Sequence, residues 1–130
     1  MPLIRIDALK GRSPEEIKTL LDAVHRAVLS TFHVPQRDRY QIYDEHPASH
    51  FVVEDTGLGM ERSSKVVLIT VFSKQRSREA KLALYAALCS ELEKSCAIPP
   101  ADVVISVFSN ADEDWSFGLG RAQFLTGELK

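Results

Sequence analysis

The 130-residue chain reads as an α/β protein (α+β in some schemes), with tandem β-α-β units forming a four-stranded core sheet and two helices on one face. Three observations lead there. Short strand-like runs alternate with two long helical patterns; a serine stands at the entry of each helix and an apolar-proline pair at its exit; and the second half repeats the first at a fixed offset of 64 residues. At that offset Lys10, Arg12, Ser13, Glu15, Leu20, Ala23, Pro35 and Asp38 fall on Lys74, Arg76, Ser77, Glu79, Leu84, Ala87, Pro99 and Asp102. Val34-Pro35 lands on Ile98-Pro99. These matches sit where turn chemistry restricts residue type, so a duplicated unit is expected over about residues 2–45 and 66–109. Both halves form one domain, followed by an aromatic tail at 115–130.

Leu3-Ile4-Arg5-Ile6 is rich in β-branched residues and soon meets the turn signal Lys10-Gly11-Arg12, so a short strand opens the chain. Ser13-Pro14-Glu15-Glu16 supplies a cap serine, a proline at the first helical position and a glutamate three residues after the cap, the pattern of a capping box. Ile17, Leu20, Leu21, Val24 and Val28 then share one helical face, which must pack on a sheet. The helix stops before Val34-Pro35, because the residue preceding proline is driven from helical dihedrals. Residues 38–43 read as the second strand.

From 44 to 62 the chain carries Pro47, Gly57 and Gly59 around a short extended stretch, Phe51-Val52-Val53. Asp55-Thr56-Gly57-Leu58-Gly59 lacks the third glycine and the following helix of a phosphate loop, and reads as a connection. Residues 65–72 form a continuous apolar strand. Residues 77–97 form a helix with Leu84, Tyr85, Leu88, Leu92 and Cys96 inward, and 103–108 the last strand. With both helices on one side of the sheet, the other side lacks cover, yet Val66-Val67-Leu68-Ile69 and Val103-Val104-Ile105 are apolar at consecutive positions, as in strands buried on both faces. Burying about 600 Å² of that face per subunit contributes about 15 kcal/mol before association costs, so self-association is expected.

The net charge of −2 argues against nucleic acid or an anionic membrane as the main partner. No run approaches the ~18 apolar residues of a membrane span and the start has no secretory pattern, so the expected location is cytoplasmic. Cys89 and Cys96 lie about two helical turns apart, roughly 10 Å, too far for a disulfide, and read as reduced core residues. His25, His33, His46 and His50 lack metal-site spacing and read as surface or pocket-edge groups.

Pro2 follows the initiator methionine. Trimming would leave a secondary amine at the chain end, and a terminal amine titrates near ~8, within reach of neutral pH, unlike a lysine near ~10.4. The alternative is that Pro2 only aids processing. Lys74-Gln75-Arg76 stands between the third strand and the second helix, where backbone N–H groups favour an anion; it is either a carboxylate clamp or a pair of solvated turn residues echoing Lys10 and Arg12. Asp38 either acts on a water or on the amine, or is a turn aspartate like Asp102. The tail residues Trp115, Phe117 and Phe124 lie between glycines without helical or alternating periodicity and fill a core or wall a small pocket.

Pro2, the duplicated unit, Asp38-Arg39-Tyr40-Gln41, Glu54-Asp55-Thr56-Gly57-Leu58-Gly59, Arg62-Ser63-Ser64 and Asp114-Trp115-Ser116-Phe117-Gly118 together resemble the tautomerase superfamily, and within it the malonate semialdehyde decarboxylases. The resemblance runs nearly the whole chain. It implies a homotrimer, no metal or organic cofactor, and an amino-terminal proline acting on a small oxo acid or unsaturated carboxylate. By the same resemblance Pro2 is the catalytic proline, Asp38 the aspartate that activates water or substrate, and Arg76 one of two carboxylate-binding arginines. Trp115, Phe117, Phe124 and Leu129 wall the pocket. The departure is Lys74, where the family has its other arginine, with Gln75 in place of a proline; lysine keeps the charge but lacks the planar fork.

Two chemistries follow for one amine. Protonated, Pro2 polarises the carbonyl of a 3-oxo acid while the cations orient its carboxylate, and carbon dioxide leaves; the same array adds water to an activated unsaturated acid. Neutral, Pro2 is a general base for keto-enol tautomerisation of a 2-oxo acid such as phenylpyruvate. A non-catalytic oligomeric binding protein is the third expectation.

Overall fold

Both long helices begin and end where their caps dictate. In the structure, a computed structural model that describes residues 2–130, α1 (Pro14–Phe32) opens on Ser13, whose Oγ accepts the Glu16 N–H while the Glu16 carboxylate accepts the Ser13 N–H. Helix α2 (Arg78–Cys96) opens on Ser77, whose Oγ accepts the Ala80 N–H. The two helices start and stop 64 residues apart, and each closes on a left-handed residue, His33 (φ 53°) and Ala97 (φ 54°). Such a residue turns the chain out of the helix toward the next strand.

The strands are β1 (Leu3–Leu9), β2 (Tyr40–His46), β3 (Val67–Lys74) and β4 (Val103–Asn110), in the sheet order β2-β1-β3-β4. β1 runs parallel to β2 and β3 parallel to β4, each pair joined by its helix, while β1 and β3 meet antiparallel at the centre. Ile4, Ile6 and Ala8 of β1 and Val67, Ile69 and Val71 of β3 point toward the helices and build the core with Leu20, Val24, Val28, Leu84, Leu88 and Leu92. Arg26 ties the helices together by donating to Glu91 and Ser95.

The expected strand limits shift. The first strand continues to Leu9, the second begins at Tyr40 and runs to His46, the third is displaced to Val67–Lys74, and the fourth reaches Asn110. Strand ends are set by available partners rather than by residue type: the parallel ladder of β1 with β2 runs on to Leu9 and His46, and that of β3 with β4 to Lys74 and Asn110, further than the apolar runs. Asp38 therefore lies ahead of β2, in a turn where its N–H donates to the Pro35 carbonyl at 2.9 Å. Phe51-Val52-Val53 joins no ladder. It follows a 3-10 turn (Ala48–His50) and leads to Asp55, whose carboxylate accepts the Gly57 and Gly59 N–H groups.

Tyr85 is half-buried and outside the core, as are Ile17 and Cys89, whereas Cys96 packs against it. Burial raises both thiols above their ordinary value. On the helix-free side of the sheet, Tyr40, Ile42 and Phe108 are 43%, 46% and 54% exposed, whereas in the runs expected to need cover Val66, Val67 and Ile69 are buried and Leu68, Val103, Val104 and Ile105 half-buried in the single chain. Beside them Arg5 pairs with Asp44 and Asp7, and His46 with Asp7. Among the described residues no helix is long and apolar enough to cross a membrane.

Candidate active site

β1 begins at Leu3, opposite Tyr40 on one side and Phe72 on the other. Continuing those pairings by one residue sets Pro2, which is buried, between Arg39 and Ser73. Two segments meet at this end of the sheet: the exit of α1, carrying Asp38, and the end of β3 with the turn into α2, carrying Lys74 and Arg76. A pocket of about 250 Å³ opens between them, lined by Val34, Pro35, Asp38, Lys74, Arg76 and Phe124, with His33 and Lys130 at its edge.

Arg76 is held in place from three sides. Its Nε donates to Ser73 Oγ at 3.2 Å, its Nη1 to the Phe32 carbonyl at 3.1 Å, and its guanidinium lies 4.7 Å from the Phe32 ring centroid. The carbonyl is one of those left without an intrahelical partner at the end of α1, so the arginine is anchored by the helix terminus itself. Lys74 approaches from the other face of β3. Its Nζ lies 3.5 Å from Asp112 Oδ1 and 4.4 Å from the Phe124 ring centroid.

Asp38 is only 6% exposed. Burial pushes its carboxyl above the ordinary aspartate value, opposed by the positive charges of the chain-terminal amine, Arg76 and His25. Burial conversely lowers Arg76, and Asp38 counters that shift. His25 is buried behind the turn, its Nε2 2.8 Å from the Gln36 carbonyl, and so fixes the backbone that presents Asp38. A buried carboxyl and two cations of different shape therefore share one small space, a composition that suits a carboxylate ligand.

The aromatic residues expected to wall the pocket divide between two spaces. Phe124 lines the pocket with the cations, whereas Trp115 and Phe117 line an adjacent apolar cleft of about 250 Å³ with Leu3 and Tyr40. Phe117 joins the two, stacked on Trp115 at 5.4 Å and edge-on to Phe124 at 5.5 Å. Trp115 is anchored by its Nε1 donating to Asn110 Oδ1, and the buried Gln123 pins the tail by accepting the Phe117 N–H and donating to the Gly118 carbonyl. Leu129 is half-buried and lines neither space; its N–H donates to the Gln123 carbonyl and turns the chain end back, so that Lys130 reaches the pocket edge. Val34, Pro35, Tyr40 and Lys130 were not singled out from sequence as pocket residues; of the histidines read as surface or pocket-edge groups, His33 does line the pocket, whereas His25 is buried. The Val34-Pro35 pair was visible as a helix stop, which gave its place in the fold but not its place in the pocket wall.

Two sequence-family profiles, each described as tautomerase enzyme, match residues 38–118 and 2–61. The probable tautomerase YrdN of Bacillus subtilis (strain 168) is 49% identical over 129 residues, covering 99% of this chain and all of the relative. A solved malonate semialdehyde decarboxylase, described in wild-type, mutant and inactivated forms for its decarboxylase and hydratase activities, is 50% identical, with a TM-score of 0.97 over 98% of this chain and 99% of the other. A second, FG41 malonate semialdehyde decarboxylase inhibited by 3-bromopropiolate, is 44% identical, with a TM-score of 0.93 over 98% of this chain and 97% of the other. The fold, the matched length and these relatives agree: the chain belongs to the tautomerase superfamily of enzymes.

Proposed function

We propose that this enzyme decarboxylates a small 3-oxo acid of the malonate semialdehyde type, with Pro2 as its acid after removal of Met1. The observation that carries the reading is the pocket that joins Asp38, Arg76 and Lys74 at the strand end where Pro2 lies. Its volume of about 250 Å³ suits an acid of a few carbons and falls below the ~300–1,000 Å³ of drug-sized sites.

The substrate carboxylate lies between Arg76 and Lys74. Arg76 has committed Nε and Nη1 to Ser73 and Phe32, so its remaining edge and the Lys74 ammonium together replace a two-pronged fork. The protonated Pro2 amine donates to the aldehyde oxygen. The bond between the carboxylate carbon and the methylene carbon breaks, its electron pair passes into the polarised carbonyl as an enolate, carbon dioxide leaves, and protonation at carbon gives the aldehyde. Asp38, when ionised, favours the charged amine and steadies it. With an unsaturated acid in the same place, Asp38 is the group that directs water, and a hydratase side activity is expected. The open sheet face, with Tyr40, Ile42 and Phe108 exposed, is the surface we assign to self-association as a trimer.

Mass spectrometry combined with turnover tests this reading. The purified enzyme lacks Met1 and converts malonate semialdehyde, 3-bromopropiolate adds mass to Pro2, and Pro2→Ala with a verified terminus loses about 10²- to 10⁴-fold in kcat. Retained Met1, or equal turnover in Pro2→Ala, removes the proposal.

One observation favours a second reading. The apolar cleft beside the pocket, between Leu3, Tyr40, Trp115 and Phe117, has room for an aryl group, which fits keto-enol tautomerisation of a 2-oxo acid such as phenylpyruvate by a neutral Pro2. Turnover of phenylpyruvate exceeding that of malonate semialdehyde, with a rate that rises as an amine loses its proton, selects it.

A further inference from the structure

The 64-residue repeat produces a second cationic pocket at the opposite end of the sheet. There β1 runs into the Lys10-Gly11-Arg12 turn beside the end of α2, and a cavity of about 380 Å³ lies between them. Three of its walls are the repeat counterparts of walls in the candidate active site: Lys10 corresponds to Lys74, Arg12 to Arg76 and Ala97 to His33. Lys65 adds a third cation.

This pocket is built rather than merely charged. Arg12 is half-buried and fixed, its Nη1 donating to Tyr43 Oη at 3.3 Å and its Nη2 to the Lys65 carbonyl at 3.0 Å. Lys65 Nζ donates to the Ala97 carbonyl at 3.0 Å, at the end of α2, as Arg76 donates to the end of α1. The one carboxylate lining the cavity, Glu16, is engaged by the Ser13 backbone and held below its ordinary value first by those hydrogen bonds and then by Arg12 and Lys65. Three cations against one carboxylate leave the cavity positive.

The groups that would do chemistry are closed off here. Val66 stands where Pro2 stands in the first half, but its nitrogen is a peptide N–H donating to the Ser63 carbonyl at 3.2 Å. Asp102, the counterpart of Asp38, is spent on the Ser63 backbone and hydroxyl. We infer that this second pocket binds a small carboxylate of one or two carboxyl groups through Lys10, Arg12 and Lys65, and holds it without turning it over.

Malonate, titrated into ¹⁵N-labelled enzyme and followed by amide shifts, tests this, with sulfate as the competing inorganic anion. Saturable shifts are expected at Gly11, Lys65 and Ala97, separate from those around Val34 and Gln75, with malonate binding at least about fivefold tighter than sulfate. Lys10→Ala combined with Lys65→Ala, both exposed side chains, abolishes the first set and keeps the second; Lys10→Glu alone weakens the first set about tenfold. Shifts confined to the Val34 and Gln75 region, equal affinity for sulfate, or unchanged shifts at Gly11 in these variants each overturn the inference. None of these readouts depends on which reaction Pro2 performs.

Discussion

Asp38 and Asp102 occupy the same place in the two halves, each with its N–H bonded at 2.9 Å to the carbonyl of a proline three residues earlier. Their surroundings differ because of what precedes the neighbouring strand. Ahead of β3 the chain arrives through Arg62 and Ser63; Arg62 donates to the Ala101 carbonyl and Ser63 satisfies both oxygens of Asp102. Asp38 instead faces a pocket shared with Arg76 and Lys74. A duplicated fold thus yields one aspartate that pins the segment between the halves to the second of them, and one that lines a pocket with two cations.

The comparison breaks most sharply at the amine. Pro2→Ala should cost about 10²- to 10⁴-fold in kcat while leaving the thermal midpoint near wild type, measured by steady-state turnover and calorimetry. Arg76→Ala comes next: losing a charge-assisted contact worth about 1.5–3 kcal/mol predicts a roughly 10- to 100-fold fall in kcat/KM, greater than that of Lys74→Ala. Its counterpart Arg12→Ala should leave kcat/KM within about twofold, and a loss equal to that of Arg76→Ala would erase the distinction between the two ends.

The aspartates should respond with opposite signs. Asp102→Ala removes both hydrogen bonds that Ser63 makes to the buried carboxylate and is expected to lower stability by about 1–3 kcal/mol in denaturant unfolding, with turnover of the folded enzyme kept. Asp38 is different, because burial raises its folded value above the ordinary 3.8. The folded protein then holds that proton more tightly than the unfolded chain, so this contribution to stability is full below the ordinary value and declines as pH rises through the folded one. Asp38→Asn should therefore raise the thermal midpoint at neutral pH, flatten its decline between acid and neutral pH, and slow turnover.

How much of this was legible in the sequence follows from which forces are local. The helix limits came from Ser13, Ser77 and the proline pairs because capping is decided within a few residues. Strand limits and the inertness of Phe51-Val52-Val53 depend on partners that only the assembled sheet provides. The repeat, read along the chain, already paired Asp38 with Asp102 and Arg76 with Arg12, but it could not say how the surroundings of the two aspartates differ. That was decided by Ser63 closing on Asp102, a contact across 39 residues. The split of the aromatic tail into Phe124 on one pocket and Trp115 with Phe117 on another likewise follows from Gln123 and Asn110, whose roles no local pattern announces.

The central claim is that the first half keeps a charged amine beside Asp38, and an NMR titration of the Pro2 nitrogen in the trimmed enzyme tests it most directly. The account predicts that this nitrogen still carries its proton at neutral pH, and that Asp38→Asn lets the proton leave at lower pH. A nitrogen already neutral at pH 7, and indifferent to Asp38, would contradict it.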